Sequence, residues 1–454
     1  VTRHATGMRG PATLAALALL ALTAAPVAAA AGAPGYRTAS GSKPVKGAES
    51  AAQAPRLGRG QHVDTFRRGQ TKYYAVALDD ISNAYFSVVA APRPGTKVED
   101  YTDRLTVKVE DSGGTTCGPD GTAQFHSGGT AYPVADYAAR LIGPDVSNCQ
   151  HAGPYYVVVS REGPLTSGPE PWAVEIGHLT EPALKGTAPS PSTPGGWSSA
   201  TPAPPTDATT HQVLGGTGFN DAAAVGRGVW RDHLAPGETR FYRVPVDWGQ
   251  RLNLSAELPN STGSTTAFVP SALGLTVYNP ARGAVSQDGF VPFDGKPAAA
   301  RAFTAPVAYG NRAAPQRAVA GMRFAGWYYV AVTLSARTAV AFPQGAALTL
   351  RVDLRGTPQA GPDYASPAGD LGTPPGDDGT GRPAQGAGGP RTAVAYAGIG
   401  VGVLLLAGLG AWTVLARRAA ARGAVPAVPP GPELPTDQQT TRASPRRSAP
   451  PGEG

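Results

Sequence analysis

The sequence predicts an all-β protein: two tandem β-sandwich domains held outside a membrane by one C-terminal transmembrane helix. Three observations predict it. Short apolar–polar runs bounded by turn residues fill the middle of the 454-residue chain, and none keeps a helical period over ten or more residues. The same runs return, in the same order, about 170 residues further on. Residues 392–416 read TAVAYAGIGVGVLLLAGLGAWTVLA, without a charge.

The bulk composition limits what can fold. The chain holds 59 Gly and 46 Pro, and only 16% of its residues are charged, against a usual ~25%. Long stretches are therefore expected to be linker. The net charge of +7 is dispersed, with no basic stripe interleaved with aromatics. A nucleic-acid partner is not expected.

The chain opens with a signal-peptide pattern over 1–30. Arg3 and Arg9 precede an apolar run, and Val27-Ala28-Ala29-Ala30 offers a small-x-small cleavage site. Translation could start at Val1 or Met8; an uncleaved anchor is the alternative reading. Residues 31–56 have no period and are expected to form a disordered leader. The first domain is expected over 57–182. Its strand candidates include Tyr73-Tyr74-Ala75-Val76-Ala77-Leu78, Tyr85-Phe86-Ser87-Val88-Val89 and Leu105-Thr106-Val107-Lys108-Val109-Glu110. Tyr155-Tyr156-Val157-Val158-Val159 and Trp172-Ala173-Val174-Glu175-Ile176 follow. Cys117 and Cys149 are the only cysteines, and both fall in the exported part, where thiols oxidise. A disulfide between them is expected, the alternative being two buried thiols. Residues 183–212, rich in Pro, Ser and Thr, read as an interdomain linker.

The second domain is expected over 213–356, because the first domain's pattern recurs there. Gly69-Gln-Thr-Lys-Tyr-Tyr-Ala-Val-Ala-Leu-Asp79 aligns with Gly237-Glu-Thr-Arg-Phe-Tyr-Arg-Val-Pro-Val-Asp247. Leu105-Thr-Val aligns with Leu275-Thr-Val, and Gly153-Pro-Tyr-Tyr-Val with Gly326-Trp-Tyr-Tyr-Val. The segment starting at Trp172 aligns with that starting at Leu348. An insertion over 281–322, without cysteine, is expected to be the more mobile face. Residues 357–391 read as a flexible stalk.

The apolar stretch 392–416 would rise about 37 Å as a helix, enough to cross a hydrocarbon core of about 30 Å. Arg417, Arg418 and Arg422 follow it and mark the cytoplasmic side, leaving the N-terminal part outside. They also offer a patch for anionic headgroups. Gly398 and Gly402 form a G-x-x-x-G pair on which two spans could associate as a homodimer. The tail, 417–454, is expected to be a disordered cytoplasmic segment.

The grammar of each repeat is a glycine turn, a Tyr-rich strand ending in aspartate, an L-x-V strand and a late G-x-Y-Y-x-V strand. It resembles the bacterial pre-peptidase C-terminal domain. The resemblance implies a small jelly-roll-like sandwich of the kind found beside secreted proteases, although no peptidase is attached here. The chain as a whole resembles a one-span surface protein of an actinobacterium.

Catalytic signatures are missing from the sequence. It has no G-x-S-x-G, H-E-x-x-H, Walker or C-x-x-C motif, and no His pair at i, i+4. No catalytic, cofactor-binding or metal-binding residue is assigned. His62, His151, His178 and His233 read as structural or solvated. Asp79, Asp80 and Asp247 read as acceptors for turn N–H groups, with Ca²⁺ as the alternative. Tyr74 and Tyr242 read as core aromatics. Trp230, Trp248 and Trp327 are expected to be buried, or to stack on sugar rings if exposed. The expectation is a non-enzymatic cell-surface protein whose extracellular domains bind a protein or a cell-wall polymer. The alternative is an accessory subunit of an exported enzyme or secretion complex.

Overall fold

The computed structural model describes residues 34–126, 128–143, 146–186, 209–263, 268–368 and 371. The expected signal peptide (1–30), the span with Gly398 and Gly402, the arginines 417, 418 and 422, and the tail lie outside these residues. So does most of the 183–212 linker. Among the described residues no helix is long and apolar enough to cross a membrane.

The first repeat contributes nine strands in chain order: β1 (Lys43–Pro44), β2 (Gly60–Phe66), β3 (Thr71–Leu78), β4 (Asn83–Ala91), β5 (Arg104–Asp111), β6 (Gly121–Gln124), β7 (Val134–Arg140), β8 (Gly153–Glu162) and β9 (Trp172–Glu181). The second contributes β10 (Thr210–Gln212), β11 (Ala223–Ala224), β12 (Gly228–Leu234), β13 (Thr239–Val246), β14 (Arg251–Leu258), β15 (Val269–Tyr278), β16 (Ala284–Phe293), β17 (Ala298–Phe303), the short α1 (Arg317–Ala320), β18 (Gly326–Leu334) and β19 (Ala346–Arg355). Each repeat forms two sheets. In the first repeat the orders are β1-β2-β9-β4-β7 and β3-β8-β5-β6; in the second, β10-β12-β19-β14-β17 and β11-β13-β18-β15-β16. The topology is the same twice, except that β11 adds a fifth strand to the second repeat's second sheet. In each sandwich a short first strand adds in parallel to an antiparallel sheet.

Each pair of sheets closes over its own core, with Tyr74, Phe86, Val107, Val157 and Ile176 in the first and Tyr242, Leu254, Leu275, Val330 and Leu350 in the second. The burial patterns show what covers the other faces. β5 alternates between buried and half-buried positions, as a strand with one wet face should. β7 is buried at every position, and β4 at all but its last. Their sheet has no wet face over these strands, because the second repeat packs on it. Val89 and Ala135 meet Phe219, Phe241, Tyr278 and Ala331 in one apolar cluster. Tyr85, Tyr137 and Ala139 meet Ala281, Phe324 and Leu371 in another. The molecule is thus two sandwiches joined sheet to sheet.

The pairing corrects the sequence alignment in two places. β2 pairs Phe66 with Trp172, and β12 pairs Leu234 with Ala346. Since Phe66 and Leu234 are equivalent, Trp172 matches Ala346 and not Leu348. Likewise Leu105 faces Arg161 and Leu273 faces Leu334, so Leu105 matches Leu273 and not Leu275. Both errors are slips of two residues, which return each side chain to the same face of the sheet and so leave the apolar pattern unchanged.

Three segments that lack a strand pattern in the sequence nonetheless make defined contacts. The leader is ordered from residue 34: Ala48 bridges to Tyr73 and Arg56 to Ala75. Its Tyr36 ring packs edge-on to Phe219 and Phe241 of the second repeat. Gly218 permits that approach, since a Cβ there would lie 2.5 Å from the Arg37 carbonyl oxygen. The stalk begins attached as well, through Gln359 N–H to the Trp248 carbonyl and a bridge from Tyr364 to Leu184. The 281–322 insertion contains β16, β17 and α1, and its arginines bind the first repeat. In each case a buried aromatic or charge, not local propensity, orders the segment.

Candidate functional site

The expected disulfide is present. Cys117 and Cys149 are joined with an S–S distance of 2.01 Å. It ties the β5–β6 connection to the loop before β8.

The other sequence candidates settle into structural roles. Tyr74 and Tyr242 are fully buried, and their hydroxyls donate to Asp64 (2.6 Å) and Asp232 (2.7 Å). Those aspartates also accept from Gly47 N–H and Gly215 N–H, each at 2.8 Å. One Tyr–Asp clasp per repeat therefore fastens the segment entering each sandwich. Asp79 accepts from Ile81 and Ser82 N–H, and Asp247 from Trp248 N–H, as turn carboxylates do. Trp230 and Trp248 are buried, and Trp327 is half-buried under the Arg243 guanidinium. His178 lies against Phe86, and burial lowers its pKa to about 4. Among the described residues no three His, Cys, Asp or Glu side chains gather as metal ligands would.

The polar chemistry concentrates where the repeats meet. Glu175, on β9, is buried and accepts from Tyr36 (2.5 Å), Ala39 N–H (3.1 Å) and Asn220 (3.0 Å). It also forms an ion pair with Arg282 at 3.2 Å. Arg282 has a left-handed backbone, φ 66°, a conformation unusual for a residue with a Cβ. The pair with Glu175 and a hydrogen bond to Asn220 hold it there. Burial would lower the Arg282 pKa, but Glu175 together with Tyr36 and Tyr329 raises it.

Glu181, at the end of β9, is equally enclosed. It accepts from Asn83 (2.8 Å), Tyr85 (2.7 Å), Tyr364 (2.7 Å) and Arg312 (3.0 Å). Burial alone would raise its carboxyl pKa, but Arg312 and the hydrogen bonds reverse the direction and hold it low. Asp136, on the edge strand β7, pairs with Arg317 and accepts from Thr122 N–H. There burial prevails, and its pKa is raised.

Beside these pairs lies a cleft of about 300 Å³. The first repeat supplies Pro119, Asp120, Asp136, Tyr137 and Leu141. The second supplies the β15–β16 turn and the segment from Arg312 to Arg323. Gly283 lies against the Tyr137 ring, and a Cβ there would collide with it. The cleft's arginines differ in their bonding. Arg312 and Arg317 are each paired with a carboxylate. Arg323 is only 4% exposed, yet among the described residues only its Nε–H is matched, to the Ala320 carbonyl at 2.7 Å. Its Nη1 is buried without a partner.

Sequence reasoning assigned none of these residues to a site. Two signals were available: acidic residues inside otherwise apolar strands, in Val134-Ala-Asp136 and Trp172-Ala-Val-Glu175, and four arginines (Arg282, Arg301, Arg312 and Arg317) spaced through an insertion that lacked a strand pattern. Neither says which carboxylate meets which guanidinium, because the partners come from opposite repeats.

No family model and no curated relative matches the sequence. Among solved structures, the tandem CBM51 modules of the family 98 glycoside hydrolase from Streptococcus pneumoniae are 10% identical, with a TM-score of 0.18. The match covers 64% of this chain and 83% of that one. The ANX2 ectodomain from Arabidopsis thaliana is 8% identical, with a TM-score of 0.17, covering 67% of this chain and 86% of the other. Neither neighbour is a pre-peptidase C-terminal domain, and at these scores neither informs the function.

Proposed function

We propose that this chain is a non-catalytic binding protein of the cell exterior, whose two repeats act as one body and present their shared cleft to a component of the cell envelope. One observation carries the reading: both repeats supply walls to the cleft, so the site exists only when the two are joined. Its volume is at the small end of the range for ligand sites, about 300–1,000 Å³, and its mixture of apolar walls with a few converging polar groups is typical of them. The disulfide suits an oxidising compartment. The 392–416 stretch and the arginines after it would hold the repeats on the outer side of the membrane.

The test is capture of envelope material by purified residues 31–390, compared with a Pro315→Trp variant. Pro315 is an exposed residue on the cleft wall, so tryptophan there should fill the cleft without disturbing a core. The wild type should retain an envelope protein or polymer. The variant should keep its melting temperature and lose about tenfold or more in affinity, the loss expected when a binding centre is blocked. Equal capture by both would remove the cleft from the function. Orientation is read separately: protease added to intact cells should digest the repeats and spare the C-terminal tail.

A further inference from the structure

The inter-repeat cleft contains a charge that the protein does not answer. Arg323 is nine-tenths buried at its wall, its Nη1 lacks a partner, and it has no ion-pair partner among the described residues. Buried guanidinium groups are normally paired, since an uncompensated charge in a protein interior is costly. The neighbouring charges are already committed. Arg312 is bound to Glu181, and Arg317 to Asp136. Those two pairs cancel, which leaves Arg323 buried without a counter-charge while Asp120, the remaining carboxylate, is exposed at the rim.

We infer that the cleft between the repeats is a receptor site for a single carboxylate group, held by Arg323 and by the Tyr137 hydroxyl. The inference rests on the binding role proposed above and names the ligand's chemistry. Nη1 is sealed from the cleft, but Nη2 has neither a protein partner among the described residues nor Nη1's enclosure, so its N–H groups can donate to a carboxylate. Tyr137 lines the same cleft, and its hydroxyl has no hydrogen-bond partner among the described residues, so it can donate to the ligand. Charge favours a monoanion over a dianionic phosphate. Only one cation is unmatched, while Asp120 stands exposed at the rim and Asp136 beyond it. Pro119, Leu141 and Pro315 supply apolar wall around the polar point, and the volume suits a group the size of one sugar or one amino acid. An acidic sugar and the carboxyl end of a peptide both carry this chemistry.

The test is calorimetric titration of the full chain in detergent with two carboxylates and their uncharged counterparts: glucuronate against glucose, and N-acetylalanine against N-acetylalanine amide. Glucose 6-phosphate serves as the dianion. At least one carboxylate should bind with a Kd of about 1 mM or tighter, and its uncharged counterpart at least about tenfold more weakly. Which of the two carboxylates binds identifies the source. Arg323→Gln should lower that affinity about tenfold or more, and Tyr137→Phe about threefold to tenfold. The proposal is overturned if neither carboxylate binds, if the uncharged counterpart or the phosphate binds as well, or if Arg323→Gln leaves the affinity unchanged. Should Arg323→Gln fail to fold, Tyr137→Phe and Pro315→Trp decide, and unaltered carboxylate affinity in both overturns the proposal. Envelope capture that is intact in Arg323→Gln would refute this site while sparing the general binding role. Carboxylate binding without any envelope capture would do the reverse.

Discussion

Glu181 shows most clearly how a single side chain couples the repeats. Four groups from three separate segments converge on its carboxylate, and one of them, Arg312, belongs to the other repeat. Glu181→Gln preserves the shape but leaves Arg312 without its counter-charge. It should cost about 3–5 kcal/mol at neutral pH, as removal of one partner from a buried pair generally does. The pH dependence has a definite sign. The folded-state pKa of Glu181 lies below its unfolded value of about 4.3. The stabilisation by the ionised form is therefore fully present above that value and is lost as pH falls through the folded pKa. Urea unfolding of wild type and variant at pH 7 and pH 3 should give a difference that shrinks in acid. His178 acts in the same direction from another position. Its folded pKa of about 4 lies below the ordinary ~6.5, so the unfolded chain takes up its proton first as pH falls. Stability should decline between those values, and a His178→Gln variant should show a flatter profile over that window.

At the scale of the strand, the pattern was legible and the partners were not. Leu105-Thr-Val-Lys-Val alternates because one face of β5 is wet, and the sequence shows that directly. The run Tyr85-Phe-Ser-Val-Val does not alternate, because β4 is covered on both faces. The second repeat supplies that cover, and a run read alone cannot distinguish it from any other dry surface. The two-residue misalignments of β9 and β5 have a similar origin: period-2 matching returns the same score at every even slip. The candidate site was illegible for a stronger reason, since Arg323 and Tyr137 are separated by more than a whole repeat and line one cleft only through the joined sheets. The disulfide, by contrast, needed only compartment and count. A Cys117→Ser, Cys149→Ser double variant should lose roughly 3–4 kcal/mol, the loop-closure value for a separation of 32 residues. The midpoint of guanidinium unfolding measures it.

Across the whole molecule, the junction should make unfolding a single event. Tandem domains on a Pro-rich linker would ordinarily melt independently. Here two apolar clusters and the Glu175–Arg282 and Glu181–Arg312 pairs span the repeats. Differential scanning calorimetry of residues 31–390 should show one transition, including in the disulfide-free variant. A Glu175→Gln, Glu181→Gln double variant should separate it into two. Two transitions in the wild type would mean that the sheets part before either sandwich melts.

Tyr36 is anchored beneath rings that the ribosome makes about 180 to 205 residues later, Phe219 and Phe241. While the polypeptide is being delivered, the first sandwich can complete its own strands at Glu181 but must then wait, with Val89, Ala135 and Tyr137 bare on one flank. That interval is when the nascent chain is most prone to stick to its neighbours or to a second copy of itself. A stop codon placed just after residue 186 should therefore yield a product that clumps or is degraded, even though every strand of that sandwich is present.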